Sequence, residues 1–296
     1  MIYSIALIST TGYPFYQGNL TLEPVDIDLK LYFFEYGRNL AKEETVCIDE
    51  ITSFELNAGL ISALCEFARL LKRPITGLLF KYTGQPVNNQ CEDDVTSSKL
   101  TENDIGTIAS VRCDSYNNLA EVKKKVDIVW DHYVQKYAPF GPDKNFDPED
   151  AVKIKDILND RDAKEKLNTC YEDIRNASEN FLEEMHSYGV ESIIITTHDF
   201  SPVYTFGDLT IDEAGETLRN IGEVPVVGTY DWNYRFTSFV RGKEIKRFWN
   251  FIINSGAGVT VEGLFMPYYY MLLCQPGASV AEVPQRYYTL INKFLD

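Results

Sequence analysis

The sequence predicts an α+β protein of two domains, each a central antiparallel sheet flanked by helices. Three observations carry this. Apolar alternation comes in adjacent pairs of segments joined by short turns, which reads as hairpins and not as strictly alternating strand and helix. Between the hairpins lie segments with apolar residues three and four apart, the period of helices seated on a core. A break rich in Pro, Gly and charge divides the 296 residues into near-equal parts, about twice the usual domain length, with one large domain as the alternative.

In chain order, residues 2–9 alternate and are β-rich, Thr10-Thr11-Gly12 makes a turn, and Tyr13–Leu20 returns as a second strand. A further strand is expected over Leu29–Tyr36. Thr52 and Glu55 form a capping-box pair that starts a helix whose apolar face is Leu56, Leu60, Ala63, Leu64, Phe67, Leu70 and Leu71, ended at Arg73-Pro74. The strands ITGLLFKY, from Ile75, and IGTIASVRC, from Ile105, follow as antiparallel neighbours across an acidic loop. The next helix carries the stripe Leu119, Val122, Val126, Val129, Tyr133, Val134 and Tyr137, and Lys123, Lys124 and Lys125 read as its solvated face. Pro139, Gly141, Pro142 and Pro148 then mark the boundary, giving domains 1–140 and 163–296 with 141–162 as linker.

The second part opens on a helix with Leu167, Cys170, Ile174, Ala177, Phe181, Leu182 and Met185 on one face. ESIIITTHDFSPVYTFGD is again strand, turn and strand, turning over Asp199–Pro202. A short helix over Ile211–Ile221 follows, then a strand to Val240, the turn Arg241-Gly242-Lys243, a strand through Ile253, and the strand YYYMLLC. The last element is a helix bearing Val283, Tyr287, Leu290, Ile291 and Phe294, with Pro284 in its first turn.

Charge and composition exclude whole classes of function. The formal net charge is −16, spread over both parts of the chain. Nucleic-acid affinity depends on Lys and Arg displacing counterions from phosphates, so bulk binding of DNA or RNA is disfavoured. No apolar run reaches the ~20 residues that cross a bilayer, and MIYSIALIST has no basic residue ahead of its apolar stretch, so neither a span nor a signal peptide is expected. The six cysteines are scattered without a CxxC pair, as in a protein of the reducing cytoplasm.

The motifs of common chemistry are absent or incomplete. Of three histidines, His132, His186 and His198, only His198 has a promising neighbour, and Asp199 in such a turn is expected to cap backbone amides. Ser255-Gly256-Ala257-Gly258 follows a strand but opens no helix and reads as a flexible loop, not a phosphate site. There is no P-loop, GxSxG elbow or calcium-loop spacing, so no catalytic residue, cofactor or metal ligand is assigned. The local reversal of charge is Arg241, Lys243, Lys246 and Arg247 around one hairpin, in a stretch poor in acids from Asp231 onward. These four are the candidate interaction surface, for an acidic partner or anionic lipid. Dense aromatics, including Tyr230, Trp232 and Tyr234 and the run Tyr268–Tyr270, suit contact surfaces as well as cores.

The opening strand, the turn Ser9–Phe15, the second strand and the helix around Asn57–Phe67 together resemble a longin domain. Residues 163–296 resemble the roadblock variant of the same profilin-like architecture, or a second longin domain. The resemblance implies two profilin-like domains and a non-catalytic scaffold in the cytoplasm, at most peripheral to membranes, with no cofactor. The implied partners are small Ras-like GTPases, which such a protein could serve as activator or exchange factor, other longin or roadblock subunits, and trafficking complexes, in a homo- or hetero-oligomer. Two other classes stand beside it: a small-molecule sensor or enzyme with a pocket between the domains, and a membrane-peripheral adaptor using the Arg241 hairpin.

Overall fold

A computed structural model gives the architecture, and it describes residues 1–9, 14–22, 27, 29–36, 107–138, 146–222, 224, 227–241, 244–278 and 282–295. The expected capping box at Thr52, the helix to Leu71, the strand from Ile75, the turn 10–12 and Cys47, Cys65 and Cys91 lie outside these residues. Met1–Arg38 and Glu102–Asp296 form one compact unit. It is α+β, with two antiparallel sheets and six α-helices among the described residues.

The first sheet has four strands, β1 (Ile2–Ser9), β2 (Pro14–Asn19), β3 (Leu29–Tyr36) and β4 (Thr107–Asp114), in the order β2-β1-β4-β3. Alternation puts Ile5 and Leu7 of β1 and Ala109, Val111 and Cys113 of β4 into one core, and an irregularity in the ladder between Ile2 and Ser4 brings Ile2 into it as well. Helix α1 (Leu119–Val129) closes this core with Val122, Val126 and Val129, and its first turn is capped by the Asn118 side chain, which accepts from Ala120 N. The chain continues through a π-turn (Trp130–Val134), where Trp130 stacks on Tyr36 at 4.8 Å.

Residues expected to be linker instead contain helix α2 (Pro148–Leu158), with Asp147 as N-cap, Pro148 in the first turn, and Ile154, Ile157 and Leu158 buried in the first core. The helix expected from residue 163 is two helices, α3 (Arg161–Thr169) and α4 (Tyr171–Met185), broken at Cys170.

The second sheet holds β5 (Val190–Thr196), β6 (Pro202–Gly207), β7 (Trp232–Arg241), β8 (Glu244–Val261) and β9 (Leu264–Cys274), in the order β6-β5-β9-β8-β7. Helix α5 (Ile211–Ile221) begins with a full capping box between Thr210 and Glu213 and packs on β6 and β7. On the other face α4 lies over β5 and β6, and α6 (Val283–Asn292) lies over β8. The two faces hold separate cores, one around Ile193, Tyr270, Leu272 and Tyr287, the other around Ile194, Leu218, Phe248 and Met271.

Strand β8 runs eight residues beyond the expected Ile253, because Ser255–Gly258 is a bulge in the ladder and not a loop. Both glycines are needed for close approach. A Cβ on Gly258 would lie 2.2 Å from the Met266 carbonyl oxygen, and Gly256, at φ +71°, lies against the Tyr230 ring. The prolonged hairpin carries Met266 into the first core, with Val259, Val261 and Leu264 packed beside it.

Candidate interaction surface

Two groups of cations were singled out by the sequence, and the fold treats them in opposite ways. The run Lys123–Lys125 does not stay in solvent: Lys123 and Lys124 do, but Lys125 is 0% exposed. Its place on α1 explains this, since it stands three residues after Val122 and four before Val129, on the buried side. The ammonium meets Asp160 Oδ1 at 2.6 Å and Asp199 Oδ2 at 2.7 Å. Burial opposes charge on Lys125, but the two carboxylates outweigh it and hold its pKa above the usual value. Burial likewise opposes charge on Asp199, and Lys125 foremost holds it well below the carboxylate range.

Asp199 also does what its turn predicts, accepting at Oδ1 from Ser201 N and Thr197 Oγ1, both at 2.9 Å. Asp160 reaches Lys125 from a left-handed backbone at φ 54°, a conformation Asp tolerates better than most residues. Around this trio lie further links between the first sheet's side and the second's. Arg219 of α5 donates from Nε and Nη2 to Asp114 at 3.0 Å each, and Tyr3 donates to the same carboxylate at 2.8 Å. Buried His198 lies 2.8 Å from Glu121, and Asn117 Nδ2 donates to the Asp199 carbonyl at 2.6 Å. The Met1 amino group donates to Tyr116 Oη and Asn117 Oδ1. This is a largely buried ionic seam in which Lys125 and Arg219 are paired with carboxylates of other segments. His132 and His186 sit elsewhere, on the π-turn near Glu262 and on an exposed turn.

The candidate hairpin belongs to β7 and β8, where Arg241 pairs with Glu244 in the ladder. Gly242, Lys243 and the Arg241 side chain lie outside the described residues, whereas Arg247 is exposed and Lys246 half-buried. Register sorts the ribbon into two faces. Trp232, Tyr234 and Phe236 stand opposite Ile253, Phe251 and Trp249, so their rings share the face that α4 and α6 cover farther along the sheet. These rings form a continuous set: Phe236 and Trp249 meet edge-on at 5.2 Å, Tyr234 and Trp249 at 5.5 Å, and Trp232 and Phe251 at 5.5 Å. No helix among the described residues covers the outer part, where Tyr234 is 51%, Phe236 50% and Ile245 64% exposed. Arg247 stands on this face between Ile245 and Trp249.

Residues 232–261 hold Arg235, Arg241, Lys243, Lys246 and Arg247 against the single acid Glu244, a net +4 in a chain of −16. Sequence reasoning found the cations and named Trp232 and Tyr234 as rings suited to contact, but did not gather them with Phe236 and Trp249 on one face. The alternation of Trp232, Tyr234 and Phe236 was legible; that no helix among the described residues would cover it was not.

Side chains engage four backbone groups on the open side of β7. Asp231 and Asn233 accept from the amides of Trp232 and Tyr234 at 2.8 and 2.7 Å, Arg235 donates to the Tyr234 carbonyl at 3.0 Å, and Asn220 donates to that of Ser238 at 2.7 Å. An edge capped in this way resists addition of another strand.

Two concave sites stand out among the described residues. A cavity of about 60 Å3 lies between Tyr133, Asp160, Glu262 and Met266, and a wider, charged groove runs past Arg161, Glu165 and Tyr204. The first is far below the ~300–1,000 Å3 of ligand pockets, and the second, of about 490 Å3, is an open groove lined mainly by charged and polar residues. Among the described residues no cluster of three or more His, Cys, Asp or Glu could hold a metal, and no helix is long and apolar enough to cross a membrane. Cys113, Cys170 and Cys274 are free thiols, and burial pushes those of Cys113 and Cys274 up to about 12. No protein-family model matches the chain, and neither a curated protein nor a solved structure does.

Proposed function

We propose that this chain is a protein-interaction scaffold whose contact surface is the aromatic face of β7 and β8. The observation that carries the reading is the row Tyr234, Phe236 and Ile245, each at least half exposed and set beside Arg247. Contiguous apolar surface ringed by polar residues marks interaction sites, and Tyr, Trp and Arg dominate the energetics of interfaces. The longin and roadblock resemblance extends the proposal to the class of partner, small Ras-like GTPases or subunits of trafficking complexes, with the chain acting as platform or regulator.

The test is retention of a panel of small GTPases, loaded with GDP or with a non-hydrolysable GTP analogue, on the immobilised full chain and on Tyr234→Ser/Phe236→Ser, together with exchange and hydrolysis rates. A nucleotide-dependent retention lost in the double variant supports the proposal. Equal retention of both nucleotide states with unchanged rates overturns the GTPase assignment.

A further inference from the structure

The exposed ring face occupies a particular position in the helical layer. Strands lie about 4.8 Å apart and a helix with its side chains is about 10 Å wide, so each helix covers roughly two strands. Helix α4 takes β5 and β6, α6 reaches β9 and β8, and α3 packs on β8 as well. Among the described residues the outermost strand, β7, with the outer residues of β8, is left uncovered as a strip about one helix wide. Its floor is Tyr234, Phe236, Trp249 and Ile245, and at its α6 side Tyr230 packs on Tyr288 with ring centres 5.9 Å apart.

We propose that this strip receives an amphipathic α-helix with acidic flanks, supplied by a partner protein and laid beside α6 as a further helix of that layer. The proposal rests on the reading of the β7–β8 face as a protein-binding surface and adds the chemistry of what binds. A helix is favoured over a strand because four of the backbone groups a strand would use, the amides of Trp232 and Tyr234 and the carbonyls of Tyr234 and Ser238, are already engaged by Asp231, Asn233, Arg235 and Asn220. Acidic flanks follow from Arg247 within the strip, in a ribbon whose residues 232–261 carry a net +4, with Arg235 and Lys246 on its opposite face. The same charge disfavours a twofold pairing of two copies through this ribbon, which would set +4 against +4.

The experiment is selection of a random phage-displayed library of peptides about four helical turns long on the immobilised full chain, with counter-selection on Tyr234→Ser/Phe236→Ser. Enriched peptides are expected to carry apolar residues three and four apart flanked by Asp or Glu, and to bind Arg247→Glu at least about tenfold more weakly. Melting curves unchanged in Arg247→Glu, a substitution at an exposed side chain, separate lost binding from lost folding. Apolar residues alternating with period two, binding indifferent to Arg247, or no enrichment over the double variant would each overturn the proposal. So would flotation with phosphatidylserine vesicles or concentration-dependent dimerisation that the double variant abolishes, in the absence of enriched peptides. Enriched acidic helices together with a null GTPase panel leave this inference standing and sink the GTPase assignment. The reverse result sinks this inference alone.

Discussion

Lys125 and Arg247 are both cations flanked in sequence by other cations, and the fold gives them opposite tasks. Lys125 is enclosed by two carboxylates from different segments, so its charge is spent inside the molecule. Arg247 stands among exposed rings on a sheet face, where its charge is presented outward. The difference is not one of residue type or local charge density. It follows from position: Lys125 shares the helical side of Val122 and Val129, whereas Arg247 lies on a strip that α4 and α6 do not reach. One group should therefore govern stability and the other association, and the two can be separated by experiment.

The largest effect is expected at the buried group. Lys125→Met strands Asp160 and Asp199 without their cation and should cost about 3–5 kcal/mol in chemical denaturation. Adding Asp160→Asn and Asp199→Asn should return much of that loss, because neutral amides need no counter-charge. If Lys125→Met alone is neutral, the ionic account of the seam is wrong.

Proton titration probes the same group reversibly. Asp199 has a depressed folded pKa, so its contribution is present above the ordinary carboxylate value of about 3.9 and is lost as pH falls through the lower folded value. Lys125 has a raised folded pKa, so its contribution is present below about 10.5 and is lost as pH rises through the higher folded value. Urea denaturation as a function of pH should show both limbs in the wild type, and the alkaline decline should lessen in the triple variant.

Gly258→Ala comes next. Its Cβ would collide with backbone at Met266, which has no rotamer to yield, and a loss of about 1–3 kcal/mol is expected from thermal melts. The smallest effect on stability belongs to the exposed face: Arg247→Glu should change unfolding by no more than about 0.5 kcal/mol while abolishing partner retention. A variant at Arg247 that unfolds readily would erase the contrast drawn here.

Much of this architecture was legible in the sequence. The opening strands, the hairpin over 190–207, the helix at 211–221, the β7–β8 ribbon and the last helix all follow from apolar period and turn chemistry. Lys125 was misread because its charge and its neighbours argued for solvent, while its spacing from Val122 and Val129 argued for the interior. Its carboxylate partners lie 35 and 74 residues away, and no local pattern announces them. Helix α2 was hidden by prolines that mark a boundary in one context and a first helical turn in another, as Asp147-Pro148-Glu149 does. Strand β8 continued through Ser255–Gly258 because glycine permits a bulge as readily as a loop, and close backbone packing decided between them.

The prolonged β8–β9 hairpin bears on how the molecule is made. Met266 and its neighbours complete a core whose other walls are Ile5, Leu7, Val111 and Val126. During synthesis the amino-terminal sheet must therefore wait, with an open hydrophobic side, until most of the chain has left the ribosome. Cutting the gene near residue 150 would separate neither a stable first half nor a stable second one, and each fragment would present to its surroundings the surface that the other was meant to close.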